Sequence, residues 1–131
     1  MQNIPNRTNI ILLEDSRQYI EGLQVMMTIQ QRFSILEVFT CKNELLESRL
    51  VDMADVLLVD VEMPNVKALE LGNNLKQKYP KLLLIALGSY KHDAYLNEIS
   101  NAGYSSFLYK PNIADDLFSV LNNAVKNQIV I

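Results

Sequence analysis

Apolar residues fall in five short, dense runs, separated by longer stretches in which they recur at helical spacing. Ile10-Ile-Leu-Leu13, the alternating segment from Phe33 to Phe39, residues 54–60 with Val56-Leu-Leu-Val59 inside them, Leu82-Leu-Leu-Ile-Ala-Leu87, and Phe107-Leu-Tyr109 have the length and the aliphatic content of buried strands. Between them, helices are expected over Arg17 to about Arg32 (Ile20, Leu23, Met27), Lys42 to Val51 (Leu45, Leu46, Leu50) and Ala68 to Tyr79 (Leu69, Leu71, Leu75). Two more are expected over Asp93 to Ala102 and from about Ala114 to Asn127 (Leu117, Val120, Leu121, Ala124, Val125). Punctuation agrees with this: Ser16 can cap the first helix, Pro80 ends the third, and Gly103 follows the fourth in the usual C′ place. Residues 1–8, polar and carrying Pro5, read as a loose lead-in.

Strand and helix alternate five times, which predicts an α/β fold: a parallel five-stranded sheet with helices on both faces. Right-handed crossovers make it doubly wound, with the flavodoxin-like strand order 2-1-3-4-5. No internal repeat or long linker interrupts the pattern. Residues 1–131 are expected to form a single domain, with its core at about 9–127, and a chain of this length buries about two thirds of its unfolded surface.

Composition narrows the function more than the fold. At 49% hydrophobic and 21% charged residues the chain is ordinary for a globular protein. A net charge of −3 and a pI near 5.1 argue against direct nucleic-acid binding by this chain. The lone Cys41 makes no internal disulfide, no apolar run approaches the length of a membrane span, and the first residues lack the apolar core of a signal peptide; a cytoplasmic location is expected. Met26 and Met27 read as packing, Cys41 as a small filler and His92 as a loop or helix-start residue.

Chemistry collects at the strand ends. Glu14 and Asp15 close the first strand, Asp60 the third, Ser89 follows the fourth, and Lys110 closes the fifth. In a doubly wound sheet these ends meet along one edge, where ligands bind. Three carboxylates there repel one another unless a cation neutralises them, and Mg²⁺ suits such a site because it takes one or two carboxylates, keeps waters and accepts phosphate oxygens. A nearby Lys offsets the remaining charge and can pair with an incoming phosphoryl group. Together these groups describe a site for phosphorylating a carboxylate.

Leu12-Leu-Glu-Asp15, Asp60-Val-Glu-Met-Pro64 and Lys110-Pro111, in this order and at these separations, resemble the receiver domain of two-component response regulators over about residues 9–127. The resemblance implies that Asp60 accepts a phosphoryl group from a partner histidine kinase or phosphotransfer protein. Asp15 and Asp60 would hold Mg²⁺ directly, Glu14 mostly through water, and Glu62 through its backbone carbonyl. Lys110 would bind the phosphoryl group from a cis Lys110–Pro111 bond, and Phe107 would stand as the switch aromatic. The family commonly works on a downstream effector protein or an attached effector domain, and commonly dimerises through its last helices. Such a chain catalyses only its own acyl-phosphate formation and hydrolysis.

Some positions depart from the family pattern. Its Thr or Ser at the end of the fourth strand falls on Gly88, with Ser89 one residue late; either Ser89 substitutes or the hydroxyl is missing. Ala68 and Lys67 replace a usual Gly and a common acid. Tyr90 and Glu62 stand where the family tunes acyl-phosphate lifetime. Three other readings compete. A degenerate receiver that binds partners without phosphorylation is suggested by Gly88. A phosphatase with an Asp nucleophile would have Glu62 as a second acid but lacks a cap insertion. A flavodoxin-type cofactor carrier would need a phosphate cradle where Glu14-Asp15-Ser16 is acidic.

Overall fold

The computed structural model describes residues 7–129, so most of the expected lead-in lies outside the described residues. The apolar runs become β1 (Thr8–Leu13), β2 (Phe33–Phe39), β3 (Val56–Asp60), β4 (Leu83–Gly88) and β5 (Tyr104–Tyr109), in one parallel sheet of order β2-β1-β3-β4-β5. The helices are α1 (Arg17–Thr28), α2 (Lys42–Glu47), α3 (Ala68–Lys78), α4 (Asp93–Asn101) and α5 (Ile113–Ile129). The expected architecture and strand order are those observed.

Strand alternation divides the core in two. Ile10, Leu12, Val56, Leu58, Ile85 and Leu87 pack with Leu23 and Met27 of α1 and Leu117 and Leu121 of α5. Ile11, Leu13, Leu57, Val59, Leu84 and Ala86 pack on the other face with Leu45 of α2, Leu71 and Leu75 of α3 and Ile99 of α4. Each central strand is buried on both faces, which is why these runs are apolar throughout. Gly72 seats α3 closely: a β-carbon there would lie 2.6 Å from the Ala102 carbonyl oxygen and 2.7 Å from the Tyr104 ring.

Several boundaries differ from the sequence expectation for local reasons. Helix α1 stops at Thr28, because the Gln30 side chain donates to the carbonyls of Met27 and Phe33 and accepts from the amides of Arg32 and Phe33, closing a tight turn. The helix expected over Lys42–Val51 breaks at Ser48, which is extended and caps a 3-10 turn (Arg49–Met53) by accepting from Leu50 N–H at 3.1 Å. Strand β5 begins three residues early, at Tyr104. The Lys110–Pro111 bond is trans, against the expected cis form. Pro111 opens a 3-10 turn (Lys110–Asn112) that runs into α5, and a trans proline suits a first helical turn.

Candidate functional site

Register brings the chemistry together before any side chain is considered. Leu13 of β1 pairs with Val59 of β3, so Glu14 stands beside Asp60 at the carboxyl edge of the sheet. Glu14 continues the Ile10–Leu12 series and Asp60 the Val56–Leu58 series, the face covered by α1 and α5. Gly88 pairs with Tyr109, which sets Lys110 just past the end of β5, one strand beyond β4. A lysine stem spans the gap, and its ammonium donates to Glu14 Oε1 at 2.6 Å and to Asp60 Oδ2 at 3.1 Å. The trans bond to Pro111 does not prevent this reach.

All three groups are removed from water: Glu14 is 0%, Asp60 5% and Lys110 9% exposed. Burial of Glu14, reinforced by the adjacent Asp60, pushes its carboxyl from 4.5 up to about 7, against the opposing pull of Lys110. For Asp60, burial acts upward but is outweighed by Glu14, by the Glu62 backbone N–H donating to Oδ1 at 2.9 Å, and by Lys110, so its carboxyl lies below the ordinary 3.8. Burial of Lys110 acts downward and is outweighed by the two carboxylates, which hold its ammonium above 10.5. The environment thus separates two like groups. Asp60 is kept ionised while Glu14 readily carries a proton.

Asp15, the other acid of the first strand end, is exposed, yet one carboxylate oxygen each from Glu14, Asp15 and Asp60 lie within 4.8 Å of one another. Glu14 Oε2 is buried without a hydrogen-bond partner. An orphaned buried oxygen in a set of hard oxygen donors fits a small divalent cation of the Mg²⁺ type.

The stability of the metal-free chain should record this crowding. A proton binds Glu14 in the native state more tightly than in the unfolded chain. Between about pH 4.5 and about pH 7 the native form therefore holds more protons, and stability falls as pH rises through that window, then levels off. The fall is about 3.5 kcal/mol at about 1.4 kcal/mol per unit. Asp60, depressed below 3.8, and Lys110, raised above 10.5, act outside this window. Urea unfolding in chelator across the window checks the slope, which should vanish in Glu14→Gln.

The remaining residues singled out in the sequence occupy the β4–α4 loop. Gly88 is the last residue of β4. The hydroxyl of Ser89 donates to Glu62 Oε1 at 2.7 Å, so the side chain of Glu62 is committed to this loop. Phe107 is half-buried against the α3–α4 face of the core, and its Cζ lies 2.9 Å from where a β-carbon on Gly88 would stand. Tyr90 is 64% exposed, edge-on to Tyr95. His92 begins α4, its Nδ1 accepting from Ala94 N–H at 3.3 Å, a helix-start role as expected. Met27 is buried in the core and Cys41 exposed.

Two contributions were missed. Tyr19 of α1 places its ring 4.4 Å from the Lys110 ammonium, covering a face that the carboxylates leave open. Its signal was present: Tyr19 precedes Ile20 and lies four residues before Leu23, at the border of the stripe that faces the sheet. Tyr19 also lines a cleft of about 550 Å³ between α1 and the start of α5. The second is the hold of the Glu62 side chain on the β4–α4 loop, which its expected place in tuning acyl-phosphate lifetime did not include.

The family model described as the response regulator receiver domain matches residues 10–122. The transcriptional regulatory protein DegU of Brevibacillus brevis is 24% identical over 116 residues, covering 88% of this chain and 49% of its own. YdfI of Bacillus subtilis, also a transcriptional regulatory protein, is 23% identical over 93% of this chain and 57% of its own. The chain therefore spans about half the length of the curated relatives it matches. Among solved structures, the Salmonella typhimurium RcsB response regulator superposes with a TM-score of 0.84 at 22% identity, over 93% of this chain and 61% of that one. The response regulator domain of Thermotoga maritima CheB gives 0.79 at 19% identity, over 96% and 99%.

Proposed function

Because the chain belongs to the response regulator receiver domain family of two-component systems, we propose that it is a phosphorylation switch whose acceptor is Asp60. The observation that carries this reading is the geometry at the sheet edge: Asp60 accepts from the Lys110 ammonium at 3.1 Å, and one carboxylate oxygen each from Glu14, Asp15 and Asp60 lie within 4.8 Å of one another. An ionised carboxylate is the nucleophile that acyl-phosphate formation needs. An oxygen of Asp60 attacks the phosphorus of a phosphohistidine on a sensor kinase or phosphotransfer protein. The P–O bond forms as the P–N bond breaks, and the imidazole leaves with the electron pair and takes up a proton. Lys110 follows the phosphoryl oxygens and offsets their charge. Asp15 and Asp60, with Glu14 and the Glu62 carbonyl, would hold Mg²⁺, which supplies charge neutralisation at those oxygens.

The chain acts on no separate substrate in this reading. It forms and hydrolyses its own acyl phosphate, and the α4–β5–α5 face carries the signal to an effector protein or effector region. That output is transcriptional control if it follows the relatives named as transcriptional regulators. No described helix is long and apolar enough to cross a membrane, and a cytoplasmic setting with a kinase partner suits the chemistry.

The test is intact mass after incubation with acetyl phosphate and Mg²⁺, followed by peptide mapping under acidic conditions. One added phosphoryl group on the peptide containing Asp60, absent in chelator, is the expected result. No adduct under rapid quenching favours a receiver that works without phosphorylation.

The same assay measures Tyr19. Loss of its ring in Tyr19→Ala leaves the ammonium less well placed, and the rate of adduct formation should fall about 3- to 30-fold, the range of a partly desolvated cation–π contact. Tyr19→Phe keeps the ring and should stay near the wild-type rate. Equal rates in all three proteins would remove Tyr19 from the site.

A further inference from the structure

Three donors of the β4–α4 loop converge on one carboxylate. The backbone N–H groups of Ser89 and Tyr90 both donate to Glu62 Oε2 at 2.9 Å, and the Ser89 hydroxyl donates to Oε1 at 2.7 Å. Two successive amides aimed at one oxygen, with a hydroxyl beside them, make a concavity that binds anions. The chain fills it from within.

Gly88 is part of the same arrangement. A β-carbon there would lie 2.8 Å from Glu62 Oε2 and 2.9 Å from Phe107 Cζ, so the carboxylate and the ring occupy the volume of a side chain at the end of β4. The nest also lies close to the acceptor. Asp60 pairs with Leu87, so the strand ends that carry Asp60 and Gly88 are neighbours, and parallel strands lie about 4.8 Å apart. Glu62 joins the two directly: its backbone N–H donates to Asp60 Oδ1 while its side chain holds the loop.

We propose that Ser89 N–H, Tyr90 N–H and the Ser89 hydroxyl form an exchangeable oxyanion site with two alternative occupants. In the unphosphorylated chain the occupant is the Glu62 carboxylate; in the phosphorylated chain it is the phosphoryl group on Asp60. This rests on the reading of Asp60 as phosphoacceptor and adds what the new charge displaces. A phosphoryl group brings about two negative charges and three strong acceptors against one charge on Glu62. The two anions repel each other and cannot share the donors. Glu62 is exposed, so its released carboxylate regains water at little cost. Ser89 thus serves as the switch hydroxyl without moving to position 88, by exchanging one anion for another.

The experiment follows amide exchange at Ser89 and Tyr90 by NMR, in wild type and Glu62→Ala, with and without beryllofluoride and Mg²⁺ as an unreactive phosphoryl mimic. The substitution leaves the Glu62 backbone carbonyl and N–H in place. Wild type should be protected in both states, with the two amide shifts changing on addition of the mimic. Glu62→Ala should lose at least tenfold of that protection when free and recover it when the mimic binds. Its affinity for the mimic should rise several-fold because the internal competitor is gone. Unchanged protection in free Glu62→Ala overturns the proposal, since the loop is then held by something else. Protection that does not return when the mimic is bound also overturns it, since the phosphoryl group then does not enter the nest. Asp60 phosphorylation, read by mass on the same two proteins, separates the failures. An adduct without recovery of protection sinks only the exchange; no adduct on either protein sinks the phosphoacceptor reading and the exchange together.

Discussion

Asp60→Asn should take up no phosphoryl group from acetyl phosphate while remaining folded. The amide is no nucleophile for phosphorus and has no negative charge to hold a divalent cation, so both needs of the reaction fail at one atom. The fold has little reason to fail. The substituted side chain keeps an amide oxygen to accept the Glu62 N–H, and Lys110 keeps its bond of 2.6 Å to Glu14. The melting temperature should stay within a few degrees of wild type. Intact mass and a thermal melt on one preparation decide the matter. A normal adduct on Asp60→Asn places the acceptor elsewhere, whereas a lost adduct in a chain that has also lost its melting transition says nothing about nucleophilicity.

Lys110→Met has the largest expected effect on stability. The methionine stem fills the same path from the end of β5, so the packing loss is small. What remains is a pair of carboxylates, 0% and 5% exposed, that have lost their shared cation. Breaking a buried pair from one side costs about 3–5 kcal/mol. The cost should depend on pH in a stated direction. Without Lys110 to pull it down, the Glu14 carboxyl rises above about 7, so the loss grows with pH through the alkaline range as the second acid ionises. Towards about pH 5.5 Glu14, already raised to about 7, binds a proton and removes most of the repulsion, so the variant approaches wild type. Mg²⁺ at about pH 8 should recover part of the difference by taking the place of the lost ammonium. Urea unfolding at the two pH values, with chelator and with Mg²⁺, measures all three. The phosphorylation rate should fall on the order of a hundredfold, the scale of a lost charge-stabilising donor. A variant as stable as wild type at about pH 8 would show that Lys110 does not compensate the acids.

The parts of this molecule that were legible in the sequence are those set by periodicity. Runs such as Val56–Val59 and Leu84–Leu87 could only be buried on both faces, so the parallel sheet followed, and with it the edge that gathers Glu14, Asp60 and Lys110. What escaped was decided by single side chains bonding to backbone. Gln30 ends α1 early by making four bonds in one turn, and Ser48 splits a helical stripe whose apolar spacing is intact. Neither contact disturbs the hydrophobic pattern. The Lys110–Pro111 bond was expected to be cis from family resemblance, whereas the local demand of a 3-10 turn entering α5 favours trans. The site shows the same division. Its charged centre was readable from strand ends, but Tyr19 over Lys110 and the Glu62 side chain over Ser89 required three-dimensional placement. A residue two positions after an acid can point to either side of a loop, and its sequence neighbours do not say which.

The close approach at Gly88 also fixes the order in which substitutions can be accepted. Gly88→Thr introduced first must push aside the Glu62 carboxylate at 2.8 Å and the Phe107 ring at 2.9 Å at once. Introduced after Glu62→Ala, it meets only the ring, which can swing outward from its half-buried seat. The two changes are therefore non-additive, with the double variant more stable than the sum of the single effects foretells. A path that restores a hydroxyl at the end of β4 runs through position 62 first, and the reverse path crosses a less stable protein.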